Sequence, residues 1–202
     1  MELLLPEIPL LELVASAYTY EEYKQFTQRL IKEGRTTGED QSEAMQEYTR
    51  INLQRMNRWD KTTVVSESLK AKIQAISQAQ TWIIFTEPWC GDAAQTMPYI
   101  VKAASYNQKI SIKILLRDEN PDWMDYLFGK NVRGIPKLVA FDEEFKEELF
   151  QWGPRPRVLQ EMFMDYKMDP QGVSFEKFVE SVHLWYAKDK NSNLDAELID
   201  LL

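Results

Sequence analysis

The sequence has one cysteine, Cys90, and one histidine, His183, among its 202 residues. A single cysteine excludes any disulfide within the chain, and with it the disulfide frameworks of small secreted proteins. Zinc or iron–sulfur centres built from the thiolates of one chain are excluded too, as is a histidine-rich metal centre. The acidic residues form no EF-hand-like loop, so we predict no metal site and no cofactor. We interpret His183 as a packing residue, since nothing in the sequence places it near Cys90.

Basic residues are also few, with 24 Lys and Arg against 32 Asp and Glu and a net charge of −8 at pH 7. Nucleic-acid binding relies on clustered cations, so this composition argues against a nucleic-acid partner. No apolar run approaches the ~18 residues of a membrane span. Pro6, Glu7 and Pro9 interrupt the apolar N-terminus, and no basic residue precedes Lys24. A secretory signal needs a positive start and a continuous apolar stretch, so we expect a cytoplasmic protein with no membrane partner.

Residues 1–80 carry the spacing of amphipathic helices. Thr19 and Glu22 form a capping-box pattern, and Ser42 and Ser66 are positioned to cap two further helices. The second of these helices places four large side chains on or near one face: Met45, Tyr48, Met56 and Trp59. We interpret this face as packing rather than as a cofactor site. The segment 1–80 is therefore predicted to be a helical N-terminal extension that packs on or beside the core.

The rest of the chain alternates between strand and helix patterns. Short runs rich in β-branched and aromatic residues predict strands at 81–86, 110–116, 137–141 and 147–151. Helical patterns lie at 91–105, 121–128, 158–166 and 174–188, and residues 191–202 are predicted to be weakly ordered or a short docked helix. These patterns predict an α/β fold with a mixed central sheet, parallel first and antiparallel later, flanked by helices.

Cys90 lies where the first strand turns into a helix, in the sequence Trp89-Cys90-Gly91-Asp92. The free N–H groups and the dipole of a helix N-terminus favour a thiolate and lower the pKa of such a cysteine below its usual ~8.5. The negative charges of Asp92 and Glu87 oppose that effect, so the direction of the shift stays open. Asp92 also has the residue type of a helix cap.

Residues 81–153 resemble the thioredoxin family. That family has a strand, then W-C-G-P-C, then a helix with a proline eight residues after the first cysteine. Trp89, Cys90 and Gly91 match this motif, and Pro98 follows Cys90 by eight residues. The order and spacing of the motifs imply a thioredoxin-like fold.

A second matching motif lies before the third predicted strand. Arg133-Gly134-Ile135-Pro136 matches the family's R-G-I-P, and Gly153 matches the glycine that follows its hairpin. The resemblance implies a cis Ile135–Pro136 bond that faces Cys90, and a thioredoxin-like domain at 81–202 with a helical insertion and a C-terminal helix. It makes Cys90 the candidate catalytic residue. The substrate-binding surface that it implies consists of Trp89, Gly91, Asp92, Ile135 and Pro136.

Three departures from the family concern function. Ala93 replaces the second cysteine, Asp92 replaces the proline of the motif, and Ile84 occupies the position of the family's buried acid. In a thioredoxin cycle the second thiol resolves the mixed disulfide formed by the first. With Cys90 alone, an external thiol must do so, as in monothiol glutaredoxins.

Different kinds of function therefore stay open, and so does the oligomeric state. The first hypothesis, which the sequence slightly favours, is a role in cell redox homeostasis. Cys90 would then exchange disulfides with a protein or a low-molecular-weight thiol. Residues 134–136 would then pair with a bound peptide, and Arg133 or Lys137 would hold the charged group of a small thiol. In the alternative, Cys90 is inert and the chain is a non-catalytic protein-interaction module. A third hypothesis, iron–sulfur binding by a dimer, has less support, because residues 91–93 do not match the glycine-phenylalanine-serine sequence of monothiol glutaredoxins.

Overall fold

The computed structural model describes residue 6 and residues 9–202. The apolar residues 3–5 and Glu7, on which the rejection of a secretory signal partly rests, lie outside the described residues. Helices and strands follow one another in this order: α1 (Leu10–Ser16), α2 (Tyr20–Lys32), α3 (Glu43–Thr62), α4 (Glu67–Ala75), β1 (Gln80–Thr86), α5 (Gly91–Ala104), β2 (Ile110–Leu116), α6 (Pro121–Phe128), β3 (Lys137–Asp142), β4 (Glu148–Trp152), α7 (Arg157–Met168), α8 (Phe175–Asp189) and α9 (Ser192–Leu201).

A four-stranded sheet in the order β2-β1-β3-β4 forms the centre of the molecule. Strand β1 pairs in parallel with β2 and antiparallel with β3, and β3 pairs antiparallel with β4. The predicted α/β fold, with parallel pairing first and antiparallel pairing later, is confirmed. The predicted strands agree with the observed ones to within one residue at each end, because short β-branched runs bounded by turns are strong local signals.

Both faces of the sheet are covered by helices. Successive side chains of a strand point to opposite faces, so Trp82 and Ile84 belong to one core and Ile83 and Phe85 to the other. The first core includes side chains of α2, α3, α4, α5 and α9. The second includes side chains of α1 and α6, and also the thiol of Cys90.

The helices that precede β1 pack on the sheet. Thr19, Ser42 and Ser66 cap α2, α3 and α4 with their side chains, as the sequence predicts. Tyr23 of α2 and Met56 of α3 lie in the first core together with β1 and α5. The division of the chain at residue 80 into an extension and a domain stays a prediction.

The C-terminal helices form two groups. Helices α7 and α8 pack on each other in a small separate core of Leu159, Phe178, Val182 and Tyr186. Helix α9 buries Leu194 and Leu198 in the first core, so the end of the chain is a docked helix. Within the described residues, no helix has both the length and the apolar content for crossing a membrane.

Candidate functional site

The turn between β1 and α5 carries the predicted site. Cys90 is the N-cap of α5, and its Sγ accepts a hydrogen bond of 3.5 Å from the N–H of Ala93. The N–H of Cys90 donates to the carbonyl of Glu87 at 2.9 Å, which closes the turn. The prediction that Asp92 caps this helix is therefore wrong: Asp92 lies in the first turn of α5, and its carboxylate has other partners.

The thiol of Cys90 is buried, with an exposed fraction of 7% for the residue. Its S–H donates to the carbonyl of Ile135 at 3.3 Å. Burial, reinforced by the charge of Asp92, raises the pKa of the Cys90 thiol to about 12. The N–H of Ala93 and the guanidinium of Arg155 act in the opposite direction and are outweighed. Burial and the charge of Asp92 thus favour the protonated thiol, the direction that the sequence left open.

The Asp92 carboxylate joins the turn to the C-terminal part of the chain. Arg155, in the connection between β4 and α7, donates to Oδ2 from Nε at 2.9 Å and from Nη2 at 2.6 Å. Tyr186 of α8 donates its hydroxyl to Oδ1 at 2.8 Å. The side chains of Asp92 and Arg155 are 10% and 14% exposed. Both carboxylate oxygens therefore have partners, and two nearly buried charges compensate each other.

Helix α8 lies over the N-terminus of α5. A Cβ atom on Gly91 would come within 3.0 Å of Cε1 of His183, so glycine provides the space for this close approach. Gln95 of α5 and His183 are joined by a hydrogen bond of 3.2 Å between Nε2 and Nδ1. Nothing in the sequence placed His183 near Cys90, yet the structure brings it against the residue that follows Cys90.

The predicted substrate surface is partly covered. Its members are Trp89, Gly91 and Asp92, which are partly exposed, and Ile135 and Pro136, which are buried. The Ile135–Pro136 bond is cis, as the resemblance implies. The carbonyl of Ile135 accepts its hydrogen bond from the Cys90 thiol. The structure thus brings the residues of the two family motifs together, and it buries Ile135 and Pro136.

The two cations predicted to hold a small thiol are engaged within the fold. Arg133 forms an ion pair with Asp125, with Nη1 at 2.5 Å from Oδ1. Lys137 donates to the carbonyl of Gly153 at 3.1 Å and lies over the ring of Phe128. Burial lowers the pKa of the Lys137 ammonium. Both side chains therefore have structural partners in place of a ligand.

Glu87, which the sequence analysis treats only as a charge near Cys90, is a buried acid that supports the turn. Glu87 is 1% exposed, accepts a hydrogen bond from the Thr37 hydroxyl, and accepts the N–H of Asp118 at 2.8 Å. Burial raises the pKa of the Glu87 carboxyl to about 7. Position 84 holds an apolar residue where the family has its acid, and Glu87 places a carboxyl three residues further along, just after β1. Within residues 9–202, no three potential ligand side chains cluster as a metal site.

Comparisons with known proteins support the fold. A family model described as thioredoxin matches residues 38–167 of the chain. A search of curated protein sequences found no match to this chain. A protein of unknown function from Pseudomonas aeruginosa has a similar crystal structure, with a TM-score of 0.63, 14% identity and 96% coverage of both chains. An HIV epitope scaffold has a TM-score of 0.62 and 13% identity, with 96% of this chain and 97% of the scaffold covered. At such identities the likeness concerns the fold alone.

Proposed function

The chain belongs to the thioredoxin family, and we propose that it is a non-catalytic binding module whose single thiol is structural. The observation that carries the proposal is the state of Cys90, which is 7% exposed and donates its S–H to the Ile135 carbonyl. The thiolate is the nucleophile of disulfide exchange. Burial raises the pKa of this thiol to about 12, far above neutral pH, which disfavours the thiolate.

The residues around Cys90 support the same conclusion. Ala93 offers no second thiol, so a mixed disulfide on Cys90 has no resolving group within the chain. Asp92 adds a negative charge next to the sulfur, which disfavours the thiolate. Its bonds to Arg155 and Tyr186 tie the C-terminal helices to the turn. The missing second thiol excludes a dithiol cycle, and the charge of Asp92 disfavours the thiolate that any exchange requires.

Monothiol exchange is the second candidate, and one observation favours it. The Sγ atom of Cys90 lies against the carbonyl of Ile135, beside Pro136, where the resemblance places a reactive cysteine. For exchange, the buried thiol must first become accessible to a disulfide. The Cys90 thiolate would then attack a disulfide, release one thiol and keep the other in a mixed disulfide. An external thiol would restore Cys90.

Adduct formation with glutathione disulfide separates the two candidates. The native full-length chain and the chain unfolded in urea are incubated with the disulfide at pH 7.5, and the mass added to the intact protein is followed with time. Cys90→Ser serves as the blank, because it removes the sole thiol of the sequence. We expect adduct formation in the native chain to be at least ~100-fold slower than in urea. Comparable rates in the two states would overturn the non-catalytic proposal and favour monothiol exchange.

The proposal retains the predictions made from composition. The acidic sequence, with its net charge of −8, argues against nucleic acid as the bound partner. A single unpaired cysteine suits a reducing compartment, so a cytoplasmic location stays part of the proposal.

A further inference from the structure

A groove of about 270 Å³ lies beside the Cys90 turn, on the side of α3 and α8. The turn contributes Trp89, Gly91 and Asp92 to its lining. Apolar side chains from α3, α7 and α8 form its walls: Met45, Tyr48, Phe163, Phe175, Val179 and Val182. We call this feature the α3/α8 groove. Trp89, Gly91 and Asp92 also belong to the substrate surface that the family resemblance implies, whereas Ile135 and Pro136 are not in the groove lining.

Large apolar side chains at the groove are open to solvent. Phe175 is 58% exposed and Tyr48 is 41% exposed. Leaving apolar area in water is unfavourable. A ligand with an apolar body would cover these rings, so the walls favour such a ligand over a purely polar one.

Arg55 of α3 supplies a cation to this apolar lining. Its side chain is half-buried, and its guanidinium donates to Oδ1 of Asn52 at 2.8 Å. Burial and the charge of Arg58 lower the pKa of Arg55. In the part of the chain that the structure describes, no carboxylate forms an ion pair with Arg55. A half-buried guanidinium keeps several free donors, and a carboxylate is the partner that matches its planar geometry.

His183 adds a second donor. The indole N–H of Trp59 donates to Oε1 of Gln95 at 2.6 Å, which identifies Nε2 as the amide nitrogen of Gln95. That nitrogen donates to Nδ1 of His183, so the neutral ring carries its proton on Nε2. Burial lowers the pKa of His183 to about 4, which keeps the ring neutral at pH 7. The remaining charge in the lining, Asp92, is already fully hydrogen-bonded.

We propose that the α3/α8 groove binds a small monocarboxylic acid with an apolar body, its carboxylate at Arg55 and the Nε2–H of His183 and its body against Tyr48 and Phe175. The groove's 270 Å³ corresponds to roughly nine liquid water volumes of ~30 Å³ each, which suits about ten non-hydrogen atoms. The inference rests on the proposed binding function and deepens it by naming the class of ligand.

Isothermal titration of the full chain with octanoate, which has ten non-hydrogen atoms, tests the proposal. We expect saturable binding with a Kd of about 1 mM or tighter. Octan-1-ol and the variant Arg55→Gln each remove one half of the charged contact, so each should weaken binding about tenfold or more. Arg50→Gln is the matched control, because Arg50 lies on the same helix, pairs with Glu47 and is outside the groove lining. It should bind octanoate as the unmodified chain does.

A second variant keeps the test valid if Arg55→Gln folds poorly. Phe175 is largely exposed, so Phe175→Ala should fold normally and still weaken octanoate binding several-fold. No saturable binding, equal binding of octanol and octanoate, or unchanged binding by both variants would overturn the inference. If octanoate shows no saturable binding while Cys90 forms no adduct with glutathione disulfide, this inference alone is wrong. If octanoate binds as expected and Cys90 exchanges rapidly, the non-catalytic proposal is wrong instead.

Discussion

Removing the Asp92 carboxylate should loosen the C-terminal helices from the Cys90 turn. In Asp92→Ala, the guanidinium of Arg155, 14% exposed in the parent, loses its counter-charge. Breaking a buried pair from one side costs about 3–5 kcal/mol. The buried hydroxyl of Tyr186 loses its acceptor as well, which adds about 1 kcal/mol. Arg155 retains its bond to Gln160 and its contact with the ring of Phe163, which offsets part of the loss.

We therefore expect Asp92→Ala to lower the free energy of unfolding by about 4 kcal/mol, and Tm by roughly 8–16 °C. Urea denaturation and thermal melts measure the two quantities. Glu47→Ala is the matched control, because Glu47 and Arg50 form an ion pair with side chains 49% and 47% exposed. Removing such a surface pair should cost no more than about 1 kcal/mol. A cost below about 1 kcal/mol for Asp92→Ala would refute the reasoning, since α8 would then be held by other contacts.

Three further predictions concern single residues of the site and the fold. Cys90→Ser should stay within about 1 kcal/mol of the parent in thermal denaturation, because serine caps helices well; a large loss would contradict a simple capping role. Gly153→Ala would place Cβ 2.2 Å from the carbonyl oxygen of Pro136 at φ +112°. We expect a loss of about 3 kcal/mol or more in urea denaturation, against about 1 kcal/mol for Gly172→Ala, whose added Cβ meets nothing within 4 Å. Glu87 has a pKa raised from 4.5 to about 7, so the folded state binds the extra proton and loses stability as pH rises from 4.5 to 7. Between pH 4.5 and 7, the free energy of unfolding of Glu87→Gln should therefore rise by about 3 kcal/mol relative to that of the parent. A difference that does not change with pH would contradict this.

Features with local causes could be predicted from the sequence. The β-branched run of β1 specified a buried strand, and Thr19, Ser42 and Ser66 specified helix starts through bonds to residues three positions away. The spacing from Cys90 to Pro98 and the later R-G-I-P motif identified the fold. The capping and strand signals act within a few residues, and the family motifs are recognised by their order along the chain, so no knowledge of the tertiary structure is needed to find them.

The state of the thiol could not be predicted, because it depends on distant residues. Arg155 and Tyr186 are 63 and 94 positions from Asp92, and His183 is 88 positions from Gln95. Hydrophobic periodicity identifies the helix that carries Tyr186 but not the element on which that helix packs. Cys90 itself is buried among side chains of α1 and α6, which are likewise far from it along the chain.

The lining of the α3/α8 groove shows a second limit of periodicity. The sequence predicts one packing face on α3, and the structure buries only part of it, with Met56 at 3% and Trp59 at 7% exposure. Tyr48 lies nearer the N-terminus of the helix and is 41% exposed. A helical spacing of apolar residues has the same form whether the face meets the core or an open groove.

The rate at which iodoacetamide alkylates Cys90, measured against pH in the native chain and in urea, tests the central claim most directly. If the thiol is structural, the native rate should stay far below the urea rate at neutral pH and continue to rise above about pH 9, whereas the unfolded chain should titrate near ~8.5. A native rate that is half-maximal below about pH 7.5, and that loses this behaviour in urea, would mean that the fold activates the thiolate and would contradict the account.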